Sequence, residues 1–380
     1  MGDPFRRDAN VEVDKLAEEV RDTFSFIETR GGVPSRWRSF WIRTEVPSAH
    51  FVAIELLKSS PMPLLQRLEM LCGATSRLDE EGEFIRSDIN DSPPALLFHE
   101  PPPPQLHVIK LEGVPDPLLF GHPSHPQLVN LTRLELQFFQ KHPALDELNK
   151  MLTASPQLTT LLLDSGWVDP PDDPLTELDM SLPKIHLPEL RELSFRDVQS
   201  VLWNLSILMM LDAPNVESFR LDMFDFHEPE VISQINKYLT RSGSDDGGLH
   251  KPCFPSLAHL TYENFGDADD DLRVILPAYP GLTSLEVPSG GSLRPLLEQP
   301  WHVPSLTHLI VASSGDMSVL KKVVITRHKA DLPLKMVQIK LVDKGCYMSP
   351  YGMNPRDWKQ VEKLVKVGFV DEDGGAFGAK

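Results

Sequence analysis

The chain has 380 residues, is 41% hydrophobic and 24% charged, and carries a formal net charge of −18. These values describe a folded protein with a sizeable core rather than a disordered one. So acidic a surface repels nucleic acid and anionic membrane, which sets both aside as expected partners.

At the N-terminus, Val13, Leu16, Val20, Phe24 and Ile27 recur at helical spacing. They predict a helix capped by Asn10 and stopped at Gly31-Gly32. SRWRSFWI (Ser35 to Ile42) follows, with Trp37 and Trp41 expected to pack inside the cap, and then a second helical stretch from His50 to Ser59. Residues 1–60 are expected to form a helical N-terminal cap over the open end of what comes next.

Proline is unusually frequent, at 35 residues, and its placement is regular. A pattern Pro-x-aliphatic-x-x-apolar-x-apolar reads PLLQRLEM from Pro63, PQLHVIKL from Pro104, PQLTTLLL from Pro156 and PELRELSF from Pro188. It returns as PNVESFRL from Pro214, PSLAHLTY from Pro255, PGLTSLEV from Pro280 and PSLTHLIV from Pro304. VNLTRLEL at Val129 to Leu136 and LKMVQIKL at Leu334 to Leu341 are copies without the proline. Starts lie roughly 24 to 41 residues apart, the scale of a leucine-rich repeat with insertions. Proline should end the preceding helical stretch and feed an extended segment, whose last two apolar positions point to one face. Leu161 and Leu163 thus point inward, and Thr160, Leu162 and Asp164 outward.

Between the copies lie amphipathic stretches: Ala144 to Ala154, Glu230 to Leu239 and Asp316 to Ile325. Strand, turn, helix, proline, strand predicts an α/β fold. It is expected to be an irregular leucine-rich-repeat solenoid of about ten units over residues 61–345, its parallel sheet concave and its helices convex. The place where regular repeats carry Asn or Cys holds Gly166, Val198, Phe224, Phe265 and Gly290, which predicts irregular turns. Proline-rich breaks occur at Pro101 to Pro104 and Asp169 to Pro174, and Ser242 to Gly248 reads as a flexible insertion. Residues 346–370 are expected to hold a closing helix (Pro355 to Val367), and 371–380 a disordered tail.

No phosphate-binding glycine loop, nucleophile elbow or zinc-protease motif is found, so no catalytic residue, cofactor or metal ligand is expected and the chain is read as a non-enzyme. His122 and His125 sit in a proline-bounded loop. Asp267 to Asp271 (DADDD) is read as a solvated acidic first turn of a helix. Cys72, Cys253 and Cys346 are far apart, predicting reduced thiols, small core residues at the first two, and a cytoplasmic or nuclear location. No secretory leader or membrane-spanning run is read.

What remains is a surface. The outward strand positions Arg133, Glu135, Gln137, Thr160, Leu162, Asp164, Glu192, Ser194, Arg196, Ser218, Arg220, Asp222, His259, Thr261, Glu263, His308 and Ile310 mix both charge signs with a few apolar groups. That mixture suits an unidentified protein partner, bound by a monomeric array.

The repeat style, together with SRWRSFWI and HFVAIELLKSSPMPLLQRLEM (His50 to Met70), resembles the leucine-rich-repeat region of fungal F-box proteins, especially those of mushroom-forming fungi. The resemblance runs from about Ser35 through nearly the whole remaining chain. It implies the substrate-recognition part of an SCF-type ubiquitin ligase, joined to its cullin through a Skp1-like adaptor. The Leu-Pro-x-Glu opening and Cys-x-x-Trp close of an F-box do not occur in Met1 to Arg38, so the box itself is not recognisable. The alternative is a free-standing scaffold with no ligase link.

Overall fold

The computed structural model describes residues 4–44, 47–72, 96–114, 116–120, 127–168, 182–223, 229–241, 251–264, 268–314, 318–340 and 355–370. His122, His125, Asp169 to Pro174, Phe224, Ser242 to Gly248, Phe265, Asp267, Asp316, Cys346 and the tail after Val370 lie outside them.

In chain order the first elements are α1 (Pro4–Thr29), β1 (Ser39–Thr44), α2 (Pro47–Ser59), β2 (Arg67–Cys72) and β3 (Val108–Glu112). Next come α3 (Asp116–Leu119), β4 (Arg133–Gln140), α4 (Leu145–Thr153), β5 (Thr160–Val168), β6 (Ile185–His186) and β7 (Glu192–Val198). α5 (Val201–Met210), β8 (Leu211–Asp212), β9 (Ser218–Met223), α6 (Pro229–Arg241), β10 (His259–Asn264), α7 (Ala268–Ile275) and β11 (Ser284–Ser289) follow. The last are β12 (His308–Ser314), α8 (Ser318–Lys329), β13 (Met336–Lys340), α9 (Pro355–Glu362) and β14 (Lys366–Val370).

Two compact units result: residues 1–170 with 179–189 and 209–212, and residues 171–178, 190–208 and 213–380. In the first, β1 to β5 pair in parallel in chain order, and the short β6 and β8 form a separate parallel pair. In the second, β7, β9, β10, β11, β12, β13 and β14 pair in parallel in that order. Parallel neighbours need a crossover connection, and helices supply it in most of the gaps, as α2 does between β1 and β2, α4 between β4 and β5 and α8 between β12 and β13.

Each of the ten motif copies contains or leads into one of these strands. The proline acts one step earlier than the sequence suggests. Backbone bonds Leu65→Met62, Leu106→Pro103, Leu158→Ser155, Val216→Ala213, Leu257→Phe254, Leu282→Tyr279 and Leu306→Val303 close seven β-turns, each with a motif proline second in the turn. Proline's fixed φ suits that position, and its missing N–H is not needed there. The aliphatic residue two places on closes the turn and is buried in every case.

A second regularity ties one copy to the next. The carbonyl just ahead of one strand accepts two N–H groups ahead of the next: Thr132 and Arg133 on His107, Thr159 and Thr160 on Thr132, Ala258 and His259 on Glu217, Thr283 and Ser284 on Ala258, Thr307 and His308 on Thr283. Threonine hydroxyls double several of these links, as Thr159 does on the Thr132 carbonyl at 2.8 Å. Register is therefore locked at the strand starts. Inward pairs such as Leu134/Leu161, Leu193/Phe219 and Leu285/Leu309 then stack in line, all but excluded from water. Each such side chain contributes roughly 1.5–3 kcal/mol of burial.

The helices follow their patterns. Val231, Ile235 and Leu239 of α6 are buried, as are Leu148, Met151 and Leu152 of α4. The apolar stretch from Val201 is α5, buried on most of its circumference, with Asn204 bonding back to the Ser200 carbonyl at 2.8 Å. Among the described residues no helix is long and apolar enough to cross a membrane.

Several expectations are corrected. α1 begins at Pro4, so Asn10 lies inside the helix rather than capping it; the stop holds, with Gly31 at φ +88°, a conformation glycine adopts without strain. The N-terminal 60 residues are not purely helical, because SFWIRT forms β1, paired with β2. The closing helix ends at Glu362, and Lys366 to Val370 adds a further strand. Within the acidic DADDD run, Asp270 stays exposed as expected, but Asp269 and Asp271 are drawn into the fold. Asp269 is buried against Arg294 at 3.1 Å, and Asp271 accepts bonds from Tyr262, Asn264 and Asn236 at 2.7–2.8 Å. Tyr262 is itself fully buried, so this polar knot holds the start of α7 to β10 and α6.

Candidate interaction surface

Period-two alternation turns one side of every strand outward, and parallel register lines those residues up in rows. In the first unit one row runs Trp41, Glu69, Lys110, Glu135, Leu162. Here charges pair mostly within one strand. Arg67 grips Glu69, Arg133 grips Glu135, and Lys110 lies 3.2 Å from Glu112 while reaching Glu135 at 3.8 Å. Gln137 meets Asp164 at 3.4 Å. Thr160 and Leu162 are half-buried.

Trp41 departs from expectation: its side chain is 61% exposed, on the outward face of β1. Only Trp37 packs, stacked on Phe40 at 5.6 Å with Phe24 alongside. Missing β1 in the sequence hid this, because β1 has no proline motif to mark which residues alternate outward.

The outward face of the second unit is wired across strands. Arg220 on β9 reaches Asp222 on its own strand at 3.3 Å and Glu263 on β10 at 3.0 Å. The Lys340 ammonium on β13 sits 3.0 Å from Glu263 and 2.9 Å from Glu286 on β11. Thr261 donates to Glu286 at 3.2 Å. Ser194 is half-buried, and its hydroxyl oxygen, shut off from water, makes no hydrogen bond among the described residues. Glu192, Arg196, His259 and His308 are exposed around this cluster, and Ile310 is half-buried. A bulge beside Arg196 places Asp197 at φ +48°, a left-handed conformation that Asp tolerates better than most residues.

Burial shapes the charges. It pushes the Asp222 carboxyl up to about 6, helped by Glu263 and opposed by Arg220. It raises Asp197 too, against the pull of Arg220 and Arg196. Burial works against Glu286 as well, but Lys340 and Arg220 hold that carboxyl below its usual range. Burial likewise opposes the Lys340 ammonium, yet Glu286 and Glu263 keep it above the ordinary lysine value.

Of the sequence-named residues, Arg220, Asp222 and Glu263 come together, whereas Arg133 and Glu135 form a local pair of their own in the first unit. Glu286, Lys340 and Asp197 join the cluster without having been singled out. Glu286 and Lys340 hold outward places in their motif copies, so alternation could have found them. Asp197 owes its position to the bulge, which the sequence does not announce.

A groove lies elsewhere in the first unit. α1 and α2 flank a groove of about 450 Å³ whose lining includes Phe24, Phe51, Val52 and Leu56, with Arg21 and Glu55 among its polar groups. Among the described residues no group of three His, Cys, Asp or Glu side chains could hold a metal ion. Cys72 is buried and Cys253 half-buried, neither in a disulfide. No protein-family model and no curated protein matches the chain.

Proposed function

We propose that this protein is a leucine-rich-repeat array that binds another protein through the outward face of its parallel strands. The observation that carries this reading is the cross-strand cluster of Arg220, Asp222, Glu263, Glu286 and Lys340. Its side chains are held in place before any partner arrives, so little rotamer freedom is lost on binding. Lys340 and Glu263 belong to strands three places apart, roughly 14 Å between backbones at normal strand spacing. A direct contact over that span favours a face that curves inward, the concave surface of a solenoid.

The ligase assignment rests on the sequence resemblance: the protein acts as the substrate-recognition part of an F-box-type ubiquitin ligase, with the partner its substrate. The tagged 380-residue chain, captured from fungal lysate and probed for a Skp1-like adaptor and a cullin, tests it. Recovery of both supports the ligase reading. Loss of both, with other proteins retained by the wild type but not by an Arg220→Ala/Glu263→Ala variant, favours the free-standing scaffold.

A further inference from the structure

The cluster on the second unit's face does not balance its charges. Asp197, Asp222, Glu263 and Glu286 stand against Arg220 and Lys340, with the exposed Arg196 as third cation beside Asp197. Glu192, His259 and His308 lie one outward place nearer the strand starts and are open to water. Lys340 illustrates what this face does with a cation: it clamps the ammonium between two carboxylates at 3.0 and 2.9 Å. Among the described residues Asp222 has no such clamp. Its nearest cation, a single Arg220 nitrogen, is 3.3 Å away and is shared with Glu263 at 3.0 Å. Surplus negative charge partly stripped of water is costly, and an incoming cation lowers that cost. Burial, chiefly, raises the carboxyls of Asp222 and Asp197, and the neighbouring Glu263 adds to it. The whole chain, at −18, would also steer a basic partner toward itself.

Building on the protein-binding reading above, we propose that this face receives a basic segment of the partner protein, one Lys or Arg side chain seating against Asp197, Asp222 and Glu263. The remaining carboxylate, Glu286, stays occupied by Lys340 and acts as scaffold.

The probe is a fluorescein-labelled Lys-Gly repeat peptide, titrated by anisotropy with the full chain at near-physiological salt. An Asp197→Asn/Asp222→Asn variant should bind about tenfold more weakly, a difference of about 1.4 kcal/mol. Asn keeps the side-chain shape and tolerates the left-handed backbone at 197, so this variant should fold, as its circular dichroism spectrum will check. Glu18→Gln/Glu55→Gln removes the same formal charge from exposed places on α1 and α2, and should leave affinity within about twofold by the weakness of exposed charges. Lowering the pH from about 7.5 to about 5.5 should weaken wild-type binding as Asp222 protonates near 6, and leave the Asn variant nearly unchanged. Equal losses in both variants, or no saturable binding, overturn the proposal. A random peptide library selected on the full chain separates the two levels of argument. Face-dependent binders rich in Lys and Arg support the inference, and face-dependent binders without them overturn it while the protein-binding reading stands. Absence of any face-dependent binder overturns both.

Discussion

The two units present the same kind of outward face and treat charge differently. In the first, ion pairs lie mostly along a strand, two residues apart, and their arginines stay in water: the side chains of Arg67 and Arg133 are 59% and 48% exposed. In the second, the pairs run across strands, and Lys340 and Glu263 are only 12% and 13% exposed. A solvated pair along a strand costs little to break and stabilises little. A half-buried pair across strands is strongly coupled to its neighbours, so it ties strands together and punishes the loss of either member. Similar residue types thus give a soft surface in one unit and a rigid, charge-sensitive one in the other.

The largest expected contrast comes with acid. Burial lowers His50 in α2 to about 4 and His142, bonded to Ser165 at 3.0 Å, to about 4. Both rings are neutral when folded and take up protons in the unfolded chain first. Their contribution is present above pH 6.5 and is lost as pH falls from there toward 4, about 3 kcal/mol at the limit for His50. Asp222 has the opposite sign. Its folded value of about 6 lies above its unfolded one, so stability from this group grows as pH falls below about 6. Hydrogen exchange followed from pH 7 to 5 should show amides of α2 losing protection while those of β9 hold or gain. His50→Leu should flatten the α2 response, and parallel losses in both elements would refute the contrast.

Next in size is Lys340→Met, which removes the cation that Glu263 and Glu286 share and leaves Arg220 alone beside them. A cost of about 2–3 kcal/mol is expected in urea unfolding, below the full buried-pair value because the site keeps some water. A loss under about 0.5 kcal/mol would make the second face as soft as the first. Tyr262→Phe removes the hydroxyl that donates to Asp271 at 2.8 Å and should cost about 1–2 kcal/mol in the same measurement. Smallest is Arg133→Ala, expected to change stability by less than about 0.5 kcal/mol and to lose even that in high salt.

Much of this architecture was legible because the repeating motif couples two local signals, a turn-setting proline and an alternating apolar pair. Wherever both occur, from PLLQRLEM to PSLTHLIV, a strand with the expected inward face is found. Where the motif is lacking, reading failed: SFWIRT and KVGFV are strands at β1 and β14, and neither carries a proline-aliphatic lead. Alternation picks out Arg220, Asp222 and Glu263 as outward residues, but nothing local marks them as one cluster. Their partners, Glu286 and Lys340, lie on other strands, as far as 77 residues away from Glu263 along the chain. Asp271 shows the same limit. In sequence it belongs to an acidic run suited to water, whereas in the fold Tyr262, Asn264 and Asn236 converge on it from β10 and α6.

The sequence by itself determined the parallel α/β class, the position of ten strands and the sense of their alternation, since turn chemistry and side-chain period act over a few residues. Only the tertiary structure decided which outward charges meet, which of them lose water, and that Trp41 faces outward while Trp37 packs. Those outcomes depend on register between strands far apart in the chain and on burial, and both are properties of the packed molecule.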